Sequence, residues 1–266
     1  MPEPVLITIL GTLAAAVLMF AVWLYQIRSR NASAVDVAWS FGVGAFGCGA
    51  LALGDGDTTR RLVVGLLLGL WSLRLGSYLL FDRLLVHREE DGRYALLREE
   101  KGADWNRWAL SFFGAQAVFV TLFALPAITL AYDPRPFGTV TDFAGIALWV
   151  LALGGESVAD RQLARWRSNP ANQGRTCRAG LWRYSRHPNY FFECLHWGGY
   201  ALIAAGSAYW WIPAAHVVVV FLLVRFMTGV PYTERRALIT RGDDYRAYQR
   251  TTSTLIPWFP RQETSS

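Results

Sequence analysis

Five ionisable residues lie within or at the edge of long apolar segments: Asp36, Arg74, Glu156, Asp160 and Glu193. An unpaired charge is costly at the depth of a bilayer, so such residues usually face one another or a polar cavity. Glu156 and Asp160 are one helical turn apart, and Arg74 and Tyr78 repeat that spacing. The pattern predicts a polar cavity. Ion pairs between helices, such as Asp36 with Arg74, remain the alternative.

The densest polar segment, residues 165–190, combines arginines with amides, aromatic rings and turn-forming residues. Its candidate ligand-binding side chains are those of Arg167, Asn169, Arg175, Arg186 and His187. All but one of the 26 basic residues are arginines, and the guanidinium fork binds phosphate oxygens in pairs. This composition favours a ligand that carries phosphate groups and an adenine ring. The alternative is a solvated loop that binds lipid headgroups.

The elements that position these residues are predicted to be membrane-spanning helices. Of the 266 residues, 53% are hydrophobic and 17% are charged, and about 20 apolar residues suffice to cross a bilayer as a helix. Seven segments reach or approach that length: residues 4–27, 35–53, 62–81, 109–130, 143–163, 190–206 and 212–230. The sequence therefore predicts an all-α polytopic membrane protein, with one seven-helix domain over residues 1–266.

The placement of the basic residues predicts the orientation of these helices. Four segments carry 20 of the 26 Lys and Arg residues: 28–34, 82–107, 164–189 and 231–266. The loops between the other ends of the helices carry only Arg60, Arg61 and Arg135. Because basic loops stay in the cytoplasm, we expect the amino terminus outside and the carboxyl terminus in the cytoplasm.

Two short patterns are explained better by membrane helices than by ligand sites. The glycines at 42, 44 and 47 spell GxGxxG, but no strand is predicted before them, so we expect helix packing rather than a dinucleotide fold. Glu193 and His196 form one ExxH pattern, whereas a di-iron bundle needs two. Most of the net charge of +6 is explained by the basic loops that are predicted on the cytoplasmic side. We therefore expect neither a metal nor a nucleic-acid partner.

Residues 185–193, with the sequence SRHPNYFFE, resemble the RHPNYxxE signature of the steroid 5-alpha-reductase family. The resemblance extends over roughly residues 30–260 and is strongest over residues 156–200. It implies a bacterial homologue, a seven-helix enzyme of the inner membrane that binds NADPH from the cytoplasm. Such enzymes reduce a carbon–carbon double bond conjugated to a ketone. A looser RHPxY pattern also occurs in membrane methyltransferases that modify isoprenylcysteine.

The resemblance implies a cofactor-binding half over residues 156–260. Its cofactor-binding positions fall on Asp160, Arg167, Arg175, Asn189 and Glu193, and we add Asn169, Arg186 and His187 of the same segment. Arg74 and Tyr78 match residues of the third span that reach the cofactor. Glu156 stands where the steroid enzymes have an asparagine, which is a departure from the family pattern.

The resemblance also implies a substrate site. Asp36 and Trp71 stand where the steroid enzymes place a glutamate and a tyrosine that hold the substrate ketone, and Trp39 lies nearby. Hydride transfer to an enone builds negative charge on the ketone oxygen, which a donor stabilises. We expect Asp36, kept protonated in an apolar cavity, to be that donor, with Tyr78 sharing the task. The implied substrate is a small apolar enone, a steroid or an isoprenoid, that enters from the membrane lipids.

Two other functions remain open. One is an S-adenosylmethionine-dependent methyltransferase of membrane lipids or isoprenylcysteine, and the other is a non-enzymatic lipid-binding protein. S-adenosylmethionine carries no phosphate and needs fewer cations than NADPH. A lipid-binding protein would not need Asn189 and Glu193 beside the arginines.

Overall fold

All regular structure in the described part of the chain is helical. A computed structural model describes residues 3–86 and 89–262, so Arg88 of the second basic loop lies outside the described residues. The helices are α1 Pro4–Ser29, α2 Ala34–Leu53, α3 Thr58–Leu79, α4 Gly92–Lys101, α5 Trp105–Ala131, α6 Val140–Arg167, α7 Pro188–Ala204, α8 Trp211–Leu222 and α9 Val230–Thr251. Two π-helical segments, Leu80–Val86 and Leu223–Met227, continue α3 and α8. The prediction of an all-α fold is confirmed.

Six helical stretches among the described residues are long and apolar enough to cross a membrane. They are Pro4–Ser29, Ala34–Leu53, Thr58–Val86, Gly92–Ala131, Val140–Arg167 and Trp211–Thr251. On α1, large apolar side chains such as Leu13, Val17 and Phe20 are at least half exposed, as a lipid-facing helix requires. The predicted span 190–206 corresponds to α7, which has 17 residues and is about 25 Å long. The structure thus supports a multi-pass membrane protein with six candidate spans.

The chain divides into two compact units. The first comprises the chain up to Asp142 together with Ala204–His216, and the second comprises Phe143–Ile203 together with the chain from Val217 onward. The predicted cofactor-binding half, residues 156–260, belongs to the second unit except for residues 204–216. The prediction of a single membrane domain stays a prediction.

Close helix packing in the first unit depends on small residues. Helix α2 packs on α3 and α5, and α1 packs on α5. A Cβ atom on Gly44 would lie 2.1 Å from the Ser72 hydroxyl oxygen, and that hydroxyl donates to the Ser40 carbonyl at 2.9 Å. The GxGxxG pattern therefore serves helix packing inside α2, as predicted.

Helices α6 and α7 approach each other closely in the second unit. A Cβ atom on Gly145 would lie 2.5 Å from the Gly199 carbonyl oxygen, and one on Gly155 would lie 2.4 Å from the Phe192 ring. Trp149 adds a hydrogen bond to the Tyr200 hydroxyl at 3.1 Å. Small residues on one face of α6 thus let α7 lie against it, which brings their polar residues together.

A buried arginine organises one end of the first unit. Arg60 is 0% exposed, and its guanidinium binds Asp142 at 2.5 Å and Asp133 at 3.4 Å. Arg135 also binds Asp133, while Arg61 donates to backbone carbonyls at the end of α2. The three arginines of the loops that carry few basic residues are therefore all bound by groups of the protein itself.

We predict that Arg60→Met destabilises the protein by about 3–5 kcal/mol, because it leaves the buried Asp142 carboxylate without its cation. Thermal unfolding of the purified protein in detergent measures this loss. Arg246→Gln is the matched control, because Arg246 forms an exposed pair with Asp243 and exposed pairs contribute about 1 kcal/mol at most. Equal effects of the two substitutions would contradict the structural role of Arg60.

Candidate functional site

Polar side chains of α6 and α7 meet in the second unit. Asn189 Nδ2 donates to Asp160 Oδ1 at 3.3 Å. Pro188 begins α7, so Asn189 and Glu193 lie one turn apart on its first turns. Trp197 Nε1 donates to Glu193 Oε1 at 3.3 Å. The structure thus brings together Asp160 and Asn189, two of the predicted cofactor-binding residues, and holds Glu193 on the same helix as Asn189.

The loop between α6 and α7 is anchored on α6. Trp182 Nε1 donates to the Ala159 carbonyl at 2.9 Å, and the Leu181 amide donates to Gln162 Oε1 at 2.9 Å. Trp182 itself is buried. The arginine-rich loop is therefore a packed structure with a defined position.

Two arginines of this segment are available to an anion. Arg167 ends α6 and Arg175 lies in the loop, and both are exposed. Within the described ranges, neither guanidinium has a hydrogen-bond or ion-pair partner, whereas Arg178 is paired with Asp244 at 3.0 Å. Asn169 accepts from the Ala171 amide at 3.0 Å and so caps a short turn. Unpaired, exposed guanidinium groups are suited to phosphate oxygens.

Arg186 and His187 form hydrogen bonds with other groups of the protein, so these donors are not free for a ligand. Arg186 Nε donates to Glu234 Oε1 at 2.7 Å, and its Nη1 donates to the Gln249 and Thr252 carbonyls at 3.0 and 2.8 Å. His187 Nε2 lies 3.2 Å from the same Glu234 oxygen. The structure assigns both residues a positioning role around Glu234, and their direct contact with a cofactor stays a prediction.

Burial and hydrogen bonding both act on the His187 ring in this setting. Burial lowers the pKa of His187, and the charges of Arg186 and Arg225 add to that effect against the opposing hydrogen bond with Glu234. Because a carboxylate only accepts hydrogen bonds, the ring nitrogen nearest Glu234 carries the proton. His187 therefore donates a hydrogen bond to the Glu234 carboxylate.

A second polar cluster lies at the start of α2 in the first unit. Asp36 accepts hydrogen bonds from Arg83, from Arg93 at 2.8 Å and from the Tyr94 hydroxyl at 2.6 Å. Asp91 also binds both arginines. Burial alone would raise the pKa of Asp91, but the charges of Arg93 and Arg83 outweigh it and lower this pKa to about 2. The cluster is a network of paired charges.

This network corrects two expectations for Asp36. The carboxylate lies among two guanidinium groups and a phenol, and not in an apolar cavity. Its ion-pair partners are Arg83 and Arg93, where the sequence suggested Arg74. The reason is that the end of α3 and the start of α4 both return to the start of α2. A carboxylate that accepts three such hydrogen bonds fixes the positions of the side chains that donate them.

An aromatic layer lies one turn further along α2. The Trp39 ring contacts Trp71 and Phe123 edge to face, with centroids 6.0 and 4.9 Å apart, and Phe123 contacts His216 at 5.1 Å. Trp71 is fully buried. The Trp39 Nε1 atom is also buried and has no hydrogen-bond acceptor among the described residues. The layer thus contains a buried N–H group that could donate a hydrogen bond to a ligand oxygen.

Arg74 and Tyr78 lie one turn apart on α3, as predicted, and the Tyr78 side chain is exposed. Both belong to the first unit, whereas Asp160, Asn189 and Glu193 belong to the second. A shared role of these residues at one cofactor stays a prediction. Among the described residues, no group of three or more His, Cys, Asp or Glu side chains is placed to hold a metal ion.

The fold and these clusters define a multi-pass helical membrane protein with polar sites near the ends of its helices. The chain belongs to the family described as "Protein of unknown function (DUF1295)", whose model matches residues 22–252. This family includes steroid 5-alpha-reductase-like proteins. The chain is also similar to the uncharacterized protein C594.04c of the yeast Schizosaccharomyces pombe, with 28% identity over 227 aligned residues. That alignment covers 74% of this chain and 64% of the yeast protein, so the chain spans slightly less than two thirds of that relative.

Proposed function

We propose that the protein is a membrane-embedded, NADPH-dependent reductase of a carbon–carbon double bond conjugated to a ketone in an apolar lipid. The observation that carries the proposal is the hydrogen bond between Asp160 and Asn189, with the exposed Arg167 and Arg175 following on the same polypeptide segment. Family membership supports it, because the family includes steroid 5-alpha-reductase-like proteins. The RHPNYxxE signature adds to that support.

The polar residues of the second unit suit a phosphate-bearing dinucleotide. Asp160, Asn189 and Glu193 offer acceptors and an amide for the polar edges of the ligand, and Arg167 and Arg175 offer forks for its phosphates. NADPH, when bound, supplies the hydride that adds to the β-carbon of the enone. The hydrogen bonds of Arg186 and His187 with Glu234 position the start of α7.

The first unit, taken by itself, contains groups that suit the ketone of an apolar substrate. Negative charge develops on the ketone oxygen as the double bond is reduced, and a preorganised donor stabilises it. The buried Trp39 N–H is such a donor, and the Trp71 and Phe123 rings provide an apolar wall for a flat lipid. In this proposal Asp36 holds Tyr94 and Arg93 in place instead of donating the proton. The enolate left by hydride addition takes up a proton at its α-carbon, and Tyr78, the predicted second donor, or a water molecule supplies it.

We propose further that α7 is a seventh span, so that the amino terminus lies outside and the carboxyl terminus in the cytoplasm of a bacterial inner membrane. Arg135, in the loop after α5, donates to the carbonyls of Ala204 at 3.3 Å and Ala205 at 2.5 Å. The end of α7 therefore lies with the loops that carry few basic residues, opposite the basic loop that precedes it. This arrangement supports the predicted positive-inside topology.

The alternative with specific support is a lipid or isoprenylcysteine methyltransferase, because the looser RHPxY pattern is shared with such enzymes. S-adenosylmethionine carries no phosphate, so the exposed Arg167 and Arg175 favour NADPH. A non-enzymatic lipid-binding protein would leave the Asp160–Asn189 pair unexplained.

Reporter insertions test the topology. A reporter fused to the amino terminus or inserted in the loop 205–210 should report an outside location, and one fused to the carboxyl terminus a cytoplasmic location. A cytoplasmic signal from the loop 205–210 would show that α7 does not cross the membrane.

Cofactor binding tests the reductase proposal. We predict that Arg167→Ala or Arg175→Ala weakens NADPH binding to the purified protein about ten-fold or more, because a charge-assisted hydrogen bond contributes roughly 1.5–3 kcal/mol. NADH binding should weaken less, because NADH lacks the 2′-phosphate. Arg165→Ala is the matched control, since Arg165 is exposed on the same helix end, and it should change neither affinity. Tight binding of S-adenosylmethionine without NADPH binding would instead favour the methyltransferase.

Turnover tests the substrate site. Purified protein should oxidise NADPH with some steroid or isoprenoid enones of a panel, and Trp39→Phe should lower kcat/KM about 10²-fold by removing one donor to the developing oxyanion. Thermal stability should stay near that of the wild type, because the indole N–H has no acceptor in the described structure. Trp105→Phe is the control, because Trp105 Nε1 donates to Gln26 Oε1 at 3.1 Å, and that substitution should lower stability. A Trp39→Phe protein with unchanged kcat/KM for every active enone would remove Trp39 from the site.

A further inference from the structure

A cavity of about 350 Å³ lies where α9 ends, within the size range of small-molecule sites. It is lined by Arg186, Arg250 and Arg261, by residues 249 and 251–254, and by the rings of Trp258 and Phe259. None of these lining residues is acidic, and four of them carry hydroxyl groups. Its chemistry therefore suits an anion.

The segment that follows α9 is fixed on the protein and shapes this cavity. The Trp258 amide donates to the Tyr184 carbonyl at 2.9 Å, and the Arg261 amide donates to the Thr251 carbonyl at 2.8 Å. Leu255 is 3% exposed and anchors the segment in the second unit. The cavity is thus a built feature with defined walls.

The charges around the cavity are not all neutralised. The carbonyl end of a helix repels anions, but Arg186 binds the Gln249 and Thr252 carbonyls there. Glu234 in turn balances the charge of Arg186. The Arg261 guanidinium is exposed and has no hydrogen-bond or ion-pair partner among residues 3–86 and 89–262. Arg261 is therefore the cation that can bind a ligand phosphate.

Exposed aromatic side chains place this site at a membrane surface. Trp258 and Phe259 are 70% and 76% exposed, and Ile256 beside them is 57% exposed. Tryptophan and phenylalanine with flanking arginines are typical of segments that lie in the headgroup region of a bilayer. A cationic cavity lined by such rings lies at the level of the bilayer where the phosphate groups of lipids are found.

We propose that this cavity binds the headgroup phosphate of an anionic phospholipid. Arg261 and the Thr254 hydroxyl, which accepts from Arg186 Nη2 at 2.9 Å and can donate its own proton, hold the phosphate, while Trp258 and Phe259 lie among the headgroups and upper acyl chains. The site anchors the carboxyl-terminal segment to the cytoplasmic leaflet. This binding does not depend on the proposed reductase activity.

Lipid titration of the full-length protein in an uncharged detergent tests the site. Phosphatidylglycerol should bind more tightly than phosphatidylcholine, as measured by native mass spectrometry and by the increase in melting temperature. Arg261→Gln should weaken phosphatidylglycerol binding about five-fold, the effect of one arginine near an anionic surface. Arg261→Lys should retain part of the affinity, because the charge is kept.

Arg236→Gln is the matched control, because Arg236 is an exposed arginine of α9 whose side chain is not part of the cavity lining. Unchanged binding in this variant, together with the loss in Arg261→Gln, supports the site. Equal losses in both variants would reduce the effect to general surface charge and overturn the proposal. Equal stabilisation by phosphatidylglycerol and inorganic phosphate, or by phosphatidylglycerol and phosphatidylcholine, would overturn the lipid assignment.

Discussion

The hydrocarbon layer of a membrane offers no hydrogen-bond partner, so each polar group of a spanning segment needs one within the protein. In this structure, the charged side chains lie near the helix ends, where they form ion pairs with one another. In the first unit, one end is organised by the buried Arg60 and its carboxylates, and the start of α2 by Asp36 with Arg83 and Arg93. The polar residues of the second unit are likewise concentrated where α6 ends and α7 begins.

The arginines fall into two groups, those paired with carboxylates inside the protein and those that remain exposed. Arg60, Arg83 and Arg186 have carboxylate partners and stabilise the fold. Arg167 and Arg175 remain exposed, in the loop where the sequence resembles a cofactor-binding segment. A basic residue count alone does not distinguish these two groups, because paired and unpaired guanidinium groups carry the same positive charge. Only the partners of each guanidinium show which cations remain available to a ligand.

The apolar segments predicted most of the helices, because long apolar runs have few alternatives in a membrane. Helix α4 was missed inside the predicted loop 82–107, since its residues are mostly polar and give no apolar run. The family signature assigned Asp160 and Asn189 to one cofactor site, but their contact with each other was not predicted. The partners of Asp36 were also not predicted, because Arg83 and Arg93 are 47 and 57 residues away and no spacing rule links them. Glu234 was missed for the same reason, although it organises Arg186 and His187.

The buried indole N–H of Trp39 has a consequence for selectivity. A donor that is already removed from water and has no acceptor pays its desolvation cost before any ligand arrives. A molecule with an oxygen at that position recovers the lost hydrogen bond, whereas a hydrocarbon of equal shape recovers nothing. Hydrogen-bonding sites reject analogues that lack the partner group far more strongly than apolar pockets reject a change of size. In the proposed reductase, the aromatic layer would therefore favour oxygenated lipids over the plain acyl chains of the membrane.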